Sequence, residues 1–109
     1  MRLTSFDDLP AEELFEGKVR RKVFQSKNIE VVEYIYEEGA HFPEHSHREE
    51  QVTLVESGEI TFFLDGEKVE LKEGSICYIP PLMPHAATVT GAREVRTLNI
   101  FHPARKTRP

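Results

Sequence analysis

From Lys18 onward the chain is a succession of short apolar runs cut by turn residues, and that pattern restricts the fold more than any other feature. Val19-Arg20-Arg21-Lys22-Val23-Phe24 and Ile29-Glu30-Val31-Val32-Glu33-Tyr34-Ile35-Tyr36 carry the β-branched and aromatic residues that suit a pleated, half-buried surface. Val52-Thr53-Leu54-Val55 and Ile60-Thr61-Phe62-Phe63-Leu64 flank Ser57-Gly58. Asp65-Gly66 is a hairpin signal leading into Lys68-Val69-Glu70-Leu71, and Glu73-Gly74 turns the chain into Ile76-Cys77-Tyr78-Ile79. Residues 86–90 and 94–101 supply the last strands, with Gly91 between them. Strands this short and this closely spaced predict an all-β sandwich or barrel, not βαβ units. The best helical signal lies ahead of them. Asp7 or Asp8 caps a short turn through Pro10-Ala11-Glu12-Glu13-Leu14, with proline near the first helical position. That turn is too short to stand alone and is expected to pack on the outside of the main body.

A length of 109 residues fits one domain, with 1–17 as an N-terminal extension, 18–102 as the barrel and 103–109 as a tail. The formal net charge of -5 argues against a nucleic-acid partner, because phosphate binding needs a basic face. A single cysteine, Cys77, leaves no intrachain disulfide and suits a reducing compartment. Met1 to Pro10 has no apolar run behind a basic start, and the apolar stretches are strand-sized. The expectation is a soluble cytoplasmic protein with no membrane span. The basic Arg105-Lys106-Thr107-Arg108-Pro109 reads as a solvated tail.

The chemistry concentrates in a few side chains. His45 and His47 are one residue apart, and on a strand alternate side chains share a face, so both imidazoles can reach one ion. Gln51 opens the next apolar run, and His85 follows Pro80-Pro81-Leu82-Met83-Pro84 just before another strand. Three imidazole nitrogens and an amide oxygen make four donors for one divalent transition-metal ion: Ni, Zn, Fe, Mn or Cu. An H-x-H pair alone is a weak signal. The spacing of glycines and prolines around it strengthens the case: Gly39 precedes His45 by six residues, Gly58 follows Gln51 by seven, and Gly74 precedes Pro80 by six.

Gly39-Ala-His-Phe-Pro-Glu-His45-Ser-His47-Arg-Glu-Glu-Gln51-Val-Thr-Leu-Val-Glu-Ser-Gly58 and Gly74-Ser-Ile-Cys-Tyr-Ile-Pro80-Pro-Leu82-Met-Pro-His85 resemble the two signature motifs of the cupin superfamily. The resemblance covers about residues 19–101. It implies a double-stranded β-helix, or jelly-roll barrel, holding a metal near its open end. Gln51 stands where the family usually has glutamate, Leu82 where it has glycine and Val89 where it has asparagine. Glu49 or Glu50 is the alternative ligand to Gln51, but Gln51 alone keeps the family spacing. Leu82 requires either another backbone path or a leucine at positive φ.

Within the superfamily the chain resembles the small cupins of the pectin-degradation group, which open unsaturated uronate rings. The shared features are H-x-H followed by glutamine, Ile79-Pro80-Pro81, Pro84-His85 and the closing Leu98-Asn99-Ile100-Phe101-His102-Pro103. That group carries an aspartate as acid/base at the position of Asn99, and an amide orients a substrate without shuttling a proton. The resemblance implies a metal-dependent isomerase or lyase of carbohydrate metabolism acting on a small anionic substrate, and a homodimer. A neutral glutamine leaves the ion's charge uncompensated, which favours an anionic ligand over oxygen activation at a two-histidine-one-carboxylate site. A dioxygenase and a non-enzymatic ligand-binding cupin are the alternatives. Asn99, Tyr34 and Tyr78 are the candidates to meet the substrate, though aromatic residues on strands, Tyr36 included, mostly fill the core. His41 reads as a surface histidine, Met83 as gap-filling, and Cys77 as buried and inert. His102 either reaches the barrel mouth or faces solvent.

Overall fold

The computed structural model describes residues 3–108, which form ten strands: β1 (Glu12–Leu14), β2 (Val19–Gln25), β3 (Glu30–Tyr36), β4 (His41–His45), β5 (Glu50–Ser57), β6 (Glu59–Leu64), β7 (Glu67–Lys72), β8 (Ile76–Ile79), β9 (His85–Thr88) and β10 (Val95–His102). They pair into a six-stranded sheet, β1-β2-β3-β10-β5-β8, and a four-stranded sheet, β4-β9-β6-β7. The fold is the expected all-β double-sheeted barrel. Alternation decides what each strand buries. β5 buries Gln51, Thr53 and Val55, and β10 buries Val95, Thr97, Asn99 and Phe101. The core contains Tyr34, Phe42, Val55, Ile60, Phe62, Ile79 and Phe101. Each such side chain contributes about 1.5–3 kcal/mol by leaving water.

The N-terminal segment departs from its sequence pattern. The helical turn lies upstream of the expected stretch, as a 3-10 turn over Phe6–Asp8 with Ser5 at its N-cap position. Ser5 Oγ donates to Asp8 Oδ2 at 3.1 Å, so the aspartates lie inside the turn instead of capping it. Glu12–Leu14 is a strand, with Glu12 opposite Arg21 and their side chains 3.3 Å apart. A segment this short cannot nucleate a helix, and an edge ladder with an ion pair outweighs its weak helical propensity.

β4 is the strand that periodicity misses. Pro43 and two charged or histidine neighbours hide it, and proline is tolerated because β4 is an edge strand. It ends at His45, so His47 lies beyond it in the connection 46–49, and the two imidazoles do not share a strand. Gly58 sits at φ +84, and a Cβ there would meet the Glu94 carbonyl oxygen at 2.7 Å, which explains why the first motif closes on glycine.

Leu82 keeps the tight turn by adopting φ 68, and its N–H donates to the His47 carbonyl at 2.8 Å. The side chain is exposed. A left-handed leucine stores about 1–2 kcal/mol, and little burial offsets that. Leu82→Gly is therefore expected to raise stability by roughly 0.5–1 kcal/mol after the added chain entropy of glycine. Chemical denaturation checks this; a loss of stability contradicts it.

The C-terminal segment is not the solvated tail its composition suggests. Arg105 is 2% exposed and Arg108 is half-buried. Arg105 Nε donates to Glu30 Oε2 at 2.8 Å, Arg108 contacts the same carboxylate, and Gln25 Nε2 donates both to Glu30 and to the Arg105 carbonyl. Glu30 itself is fully buried. Burial alone raises its pKa, but the hydrogen bond from Gln25, the charge of Arg105 and the bonds from Arg108 and Arg105 outweigh it and hold the carboxyl below its usual range.

Candidate metal centre

Two sheets and one connection deliver the donors. His45, the last residue of β4, sits directly opposite His85, the first residue of β9, in the same ladder. Gln51 faces them from β5 in the other sheet, and His47 comes from the connection between the sheets. One nitrogen from each of His45, His47 and His85 lies within 4.8 Å of the others.

The tautomers follow from the backbone. Each Nδ1 lies 2.9 Å from a carbonyl oxygen: Pro43 for His45, Glu49 for His47 and Met83 for His85. A carbonyl accepts only, so each Nδ1 carries a proton, and in the neutral ring Nε2 is left with the lone pair. His85 Nε2 is buried and has no hydrogen-bond partner among the described residues. Burial pushes the His85 pKa down to about 4 against the Met83 bond, with the charges of His45, His47 and Arg105 adding to the fall. Burial likewise lowers His45, again opposed by a carbonyl bond and helped by His47 and Arg105. Both rings are neutral at pH 7 and already in the form that ligates a metal.

The amide of Gln51 is oriented by a chain of forced choices. The Val32 carbonyl can only accept, so Asn99 turns its Nδ2 there, at 3.3 Å, and also donates to Thr97 Oγ1. Asn99 Oδ1 then accepts from Thr53 Oγ1 at 2.7 Å. Thr53 Oγ1 and Asn99 Oδ1 thereby face Gln51 as acceptors, and its Nε2 donates to both, at 2.9 and 3.2 Å. That leaves Gln51 Oε1 pointing at His47 Nε2, 3.2 Å away. Two lone pairs at this distance repel unless a proton or a metal ion lies between them. The orphaned His85 nitrogen and this facing pair both fit a metal: His45, His47 and His85 are positioned to hold one, with the Gln51 oxygen aimed at the same place.

Glu49 and Glu50 stand aside. The Glu49 carboxylate approaches His47 on its protonated Nδ1 side, at 3.8 Å, while Glu50 bonds Tyr78 and His102 on the outer surface. Asn99 is 1% exposed and spends every hydrogen bond on protein, so it positions Gln51 instead of meeting a ligand. Asn99→Ala frees that amide and is expected to weaken metal affinity about tenfold without unfolding the protein. Titration against a competing chelator measures it, and unchanged affinity would refute the positioning role.

Of the tyrosines, Tyr34 and Tyr36 line the chamber beside the imidazoles, together with Phe42, Phe62, Phe101 and Arg105. Burial drives the Tyr36 hydroxyl far above its ordinary value, so it stays neutral. Tyr78 points outward, half-exposed, and is not brought to the site. His41 is exposed and bonds Thr88, His102 faces outward, Met83 packs against the core, and Cys77 is buried with its thiol pKa raised by burial. Arg105 is the site residue that sequence reasoning missed. Its guanidinium stacks 3.6 Å from the Phe101 ring centroid and reaches the Tyr34 hydroxyl at 3.4 Å. No local pattern marks it; only the long-range pairing with Glu30 brings it inside.

Comparison with known proteins agrees with this fold. Residues 32–101 match the profile described as the cupin domain. An RmlC-like cupin from Shewanella frigidimarina NCIMB 400 is 24% identical over 97% of this chain and 94% of its own, with a TM-score of 0.87. KdgF from Halomonas sp. is 22% identical over 95% and 97%, at 0.83. The polyketide cyclase RemF from Streptomyces resistomycificus is 19% identical over 98% and 82%, also at 0.83. At these identities the likeness to each solved structure is one of fold. Among the described residues no helix is long and apolar enough to cross a membrane.

Proposed function

Because the chain belongs to the cupin domain family, we propose that it is a metal-dependent, non-redox enzyme of the isomerase or lyase type, acting on a small anionic sugar derivative such as an unsaturated uronate. The observation that carries this reading is the charge of the donor set. Three imidazoles and an amide, donors that carry no charge when they ligate, converge with no carboxylate among them. Beside them, Arg105 and Arg108 share the Glu30 carboxylate and Arg48 lies 4.0 Å from the Glu49 carboxylate, so three guanidiniums face two carboxylates there. A site of this sign selects an anion.

His45, His47, His85 and Gln51 would hold a divalent ion, which would supply Lewis-acid polarisation of a ligand oxygen. The protein's own residues do the rest. The backbone carbonyls behind each Nδ1 fix the rings and their tautomers. Thr53 and Asn99 hold the Gln51 oxygen forward. Arg105, stacked on Phe101, adds positive field from the chamber side and holds the Tyr34 hydroxyl. The apolar walls of Phe42, Phe62 and Phe101 keep bulk water out and strengthen these interactions. The motif resemblance to the pectin-degradation cupins supports the uronate class.

The test is elemental analysis of protein purified without added metal, followed by a screen of unsaturated uronates in air and under nitrogen. Turnover at equal rates in both atmospheres, lost on chelation and restored by metal, is expected. Strict oxygen dependence, or full activity in the metal-free protein, contradicts the reading.

A further inference from the structure

The space enclosed beside the imidazoles is about 20 Å³, enough for an ion or one water and not for a sugar ring. The body of any ligand therefore lies outside it. A second concavity, with no lining residue in common with the first, is a groove of about 700 Å³ between the connection 46–49 and the C-terminal segment, a size typical of ligand sites. His47 forms part of its wall, so groove and metal centre share a residue.

The groove's charge is unlike that of the chain. The protein carries a formal net charge of -5. Yet Lys27 from the β2–β3 turn, Arg48 from the connection, and Lys106 and Arg108 from the C-terminal segment all line this groove, against Glu49 as its one carboxylate. Arg108 is tied to Glu30, and Arg48, its side chain 77% exposed, lies 4.0 Å from the Glu49 carboxylate. Lys27 and Lys106 are exposed, and among the described residues neither pairs with a carboxylate. Three separate segments thus place four cations around one concavity against two carboxylates, Glu30 and Glu49, and the two lysines are left to attract a further anion.

We propose that this groove binds a second oxyanion of the ligand, a carboxylate or a phosphate on the part of the molecule that stays outside the barrel. The substrate class is then a doubly anionic sugar: one oxyanion addressed at the histidines, the other held by Lys27, Lys106 and Arg48. The proposal rests on the reading of the metal centre as a site for anions. It assigns a role to the basic C-terminal residues that Glu30 alone does not explain.

The test compares galacturonate, galacturonate 1-phosphate and digalacturonate by calorimetric titration of the metal-loaded protein at low and moderate salt, in wild type and in Lys27→Ala/Lys106→Ala. Both substitutions are on exposed side chains and leave the core and the metal donors untouched. In wild type at least one doubly anionic probe is expected to bind about tenfold tighter than galacturonate, with the advantage shrinking as salt rises. The double variant is expected to lose most of that advantage and to bind galacturonate within about twofold of wild type. Which probe gains separates carboxylate from phosphate. Galacturonate binding with no gain from a second oxyanion, or a gain that survives in the variant, overturns the groove and leaves the metal-centre reading standing. No binding of any probe overturns both.

Discussion

In a His85→Ala variant, metal affinity is expected to fall by about two to three orders of magnitude while the barrel still folds. Apparent binding free energies of about 10–16 kcal/mol, spread over four donors, assign roughly 3–4 kcal/mol to each. His85 carries a full share because its Nε2 is buried and has no other partner among the described residues. The metal-free protein loses much less. The deleted Nδ1–H bond to the Met83 carbonyl is worth about 1 kcal/mol, and an unsatisfied buried nitrogen goes with it. The pH dependence gives a second signature. The folded pKa of His85 is pushed to about 4 from an ordinary value of 6.5, so the folded state binds fewer protons than the unfolded one in that window. Metal-free wild type therefore loses stability as pH falls from 6.5 towards 4, and the alanine variant loses less. Metal titration and denaturation across that range check both parts. Wild-type affinity in the variant would remove His85 from the site.

The second large effect belongs to Glu30. Replacing it with glutamine leaves two guanidiniums without their carboxylate, one of them 2% exposed. Breaking a buried pair on one side costs about 3–5 kcal/mol, and the C-terminal segment is expected to detach, exposing Phe101 beneath Arg105. Limited proteolysis near Arg105 reports the detachment and denaturation reports the energy. The sign of the pH effect is fixed by the depressed pKa. Glu30 stabilises the fold above its ordinary value of 4.5, and that contribution disappears as pH falls through its lower folded value. Glu30→Gln should lack this acid limb while keeping the one due to His85 at higher pH. A variant as stable as wild type, with the limb intact, would mean the cluster holds nothing in place.

Much of the molecule was legible in its residues because the relevant physics is local. Strand alternation is a period-two signal, and it located eight of the ten strands well enough to give the two-sheet architecture, with β1 and β4 the exceptions. β1 reads as helix on propensity and becomes a strand only because Arg21 lies across from Glu12. β4 is masked by Pro43 and is stabilised from β9, more than forty residues later. The three histidines that cluster were legible from spacing. Their geometry was not: His47 reaches the site from a connection, positioned in part by the backbone bond from Leu82.

The sequence by itself determined the alternating faces, the turns and the set of side chains able to ligate a metal, since each depends on neighbours within a few residues. Tertiary structure alone decided which way the Gln51 amide points and whether Arg105 lies in water or inside the barrel. Those outcomes rest on partners 48 and 75 positions away, Asn99 and Glu30. A hydrogen bond between such distant groups leaves no periodic trace along the chain, and it forms only once the sheets have closed around it.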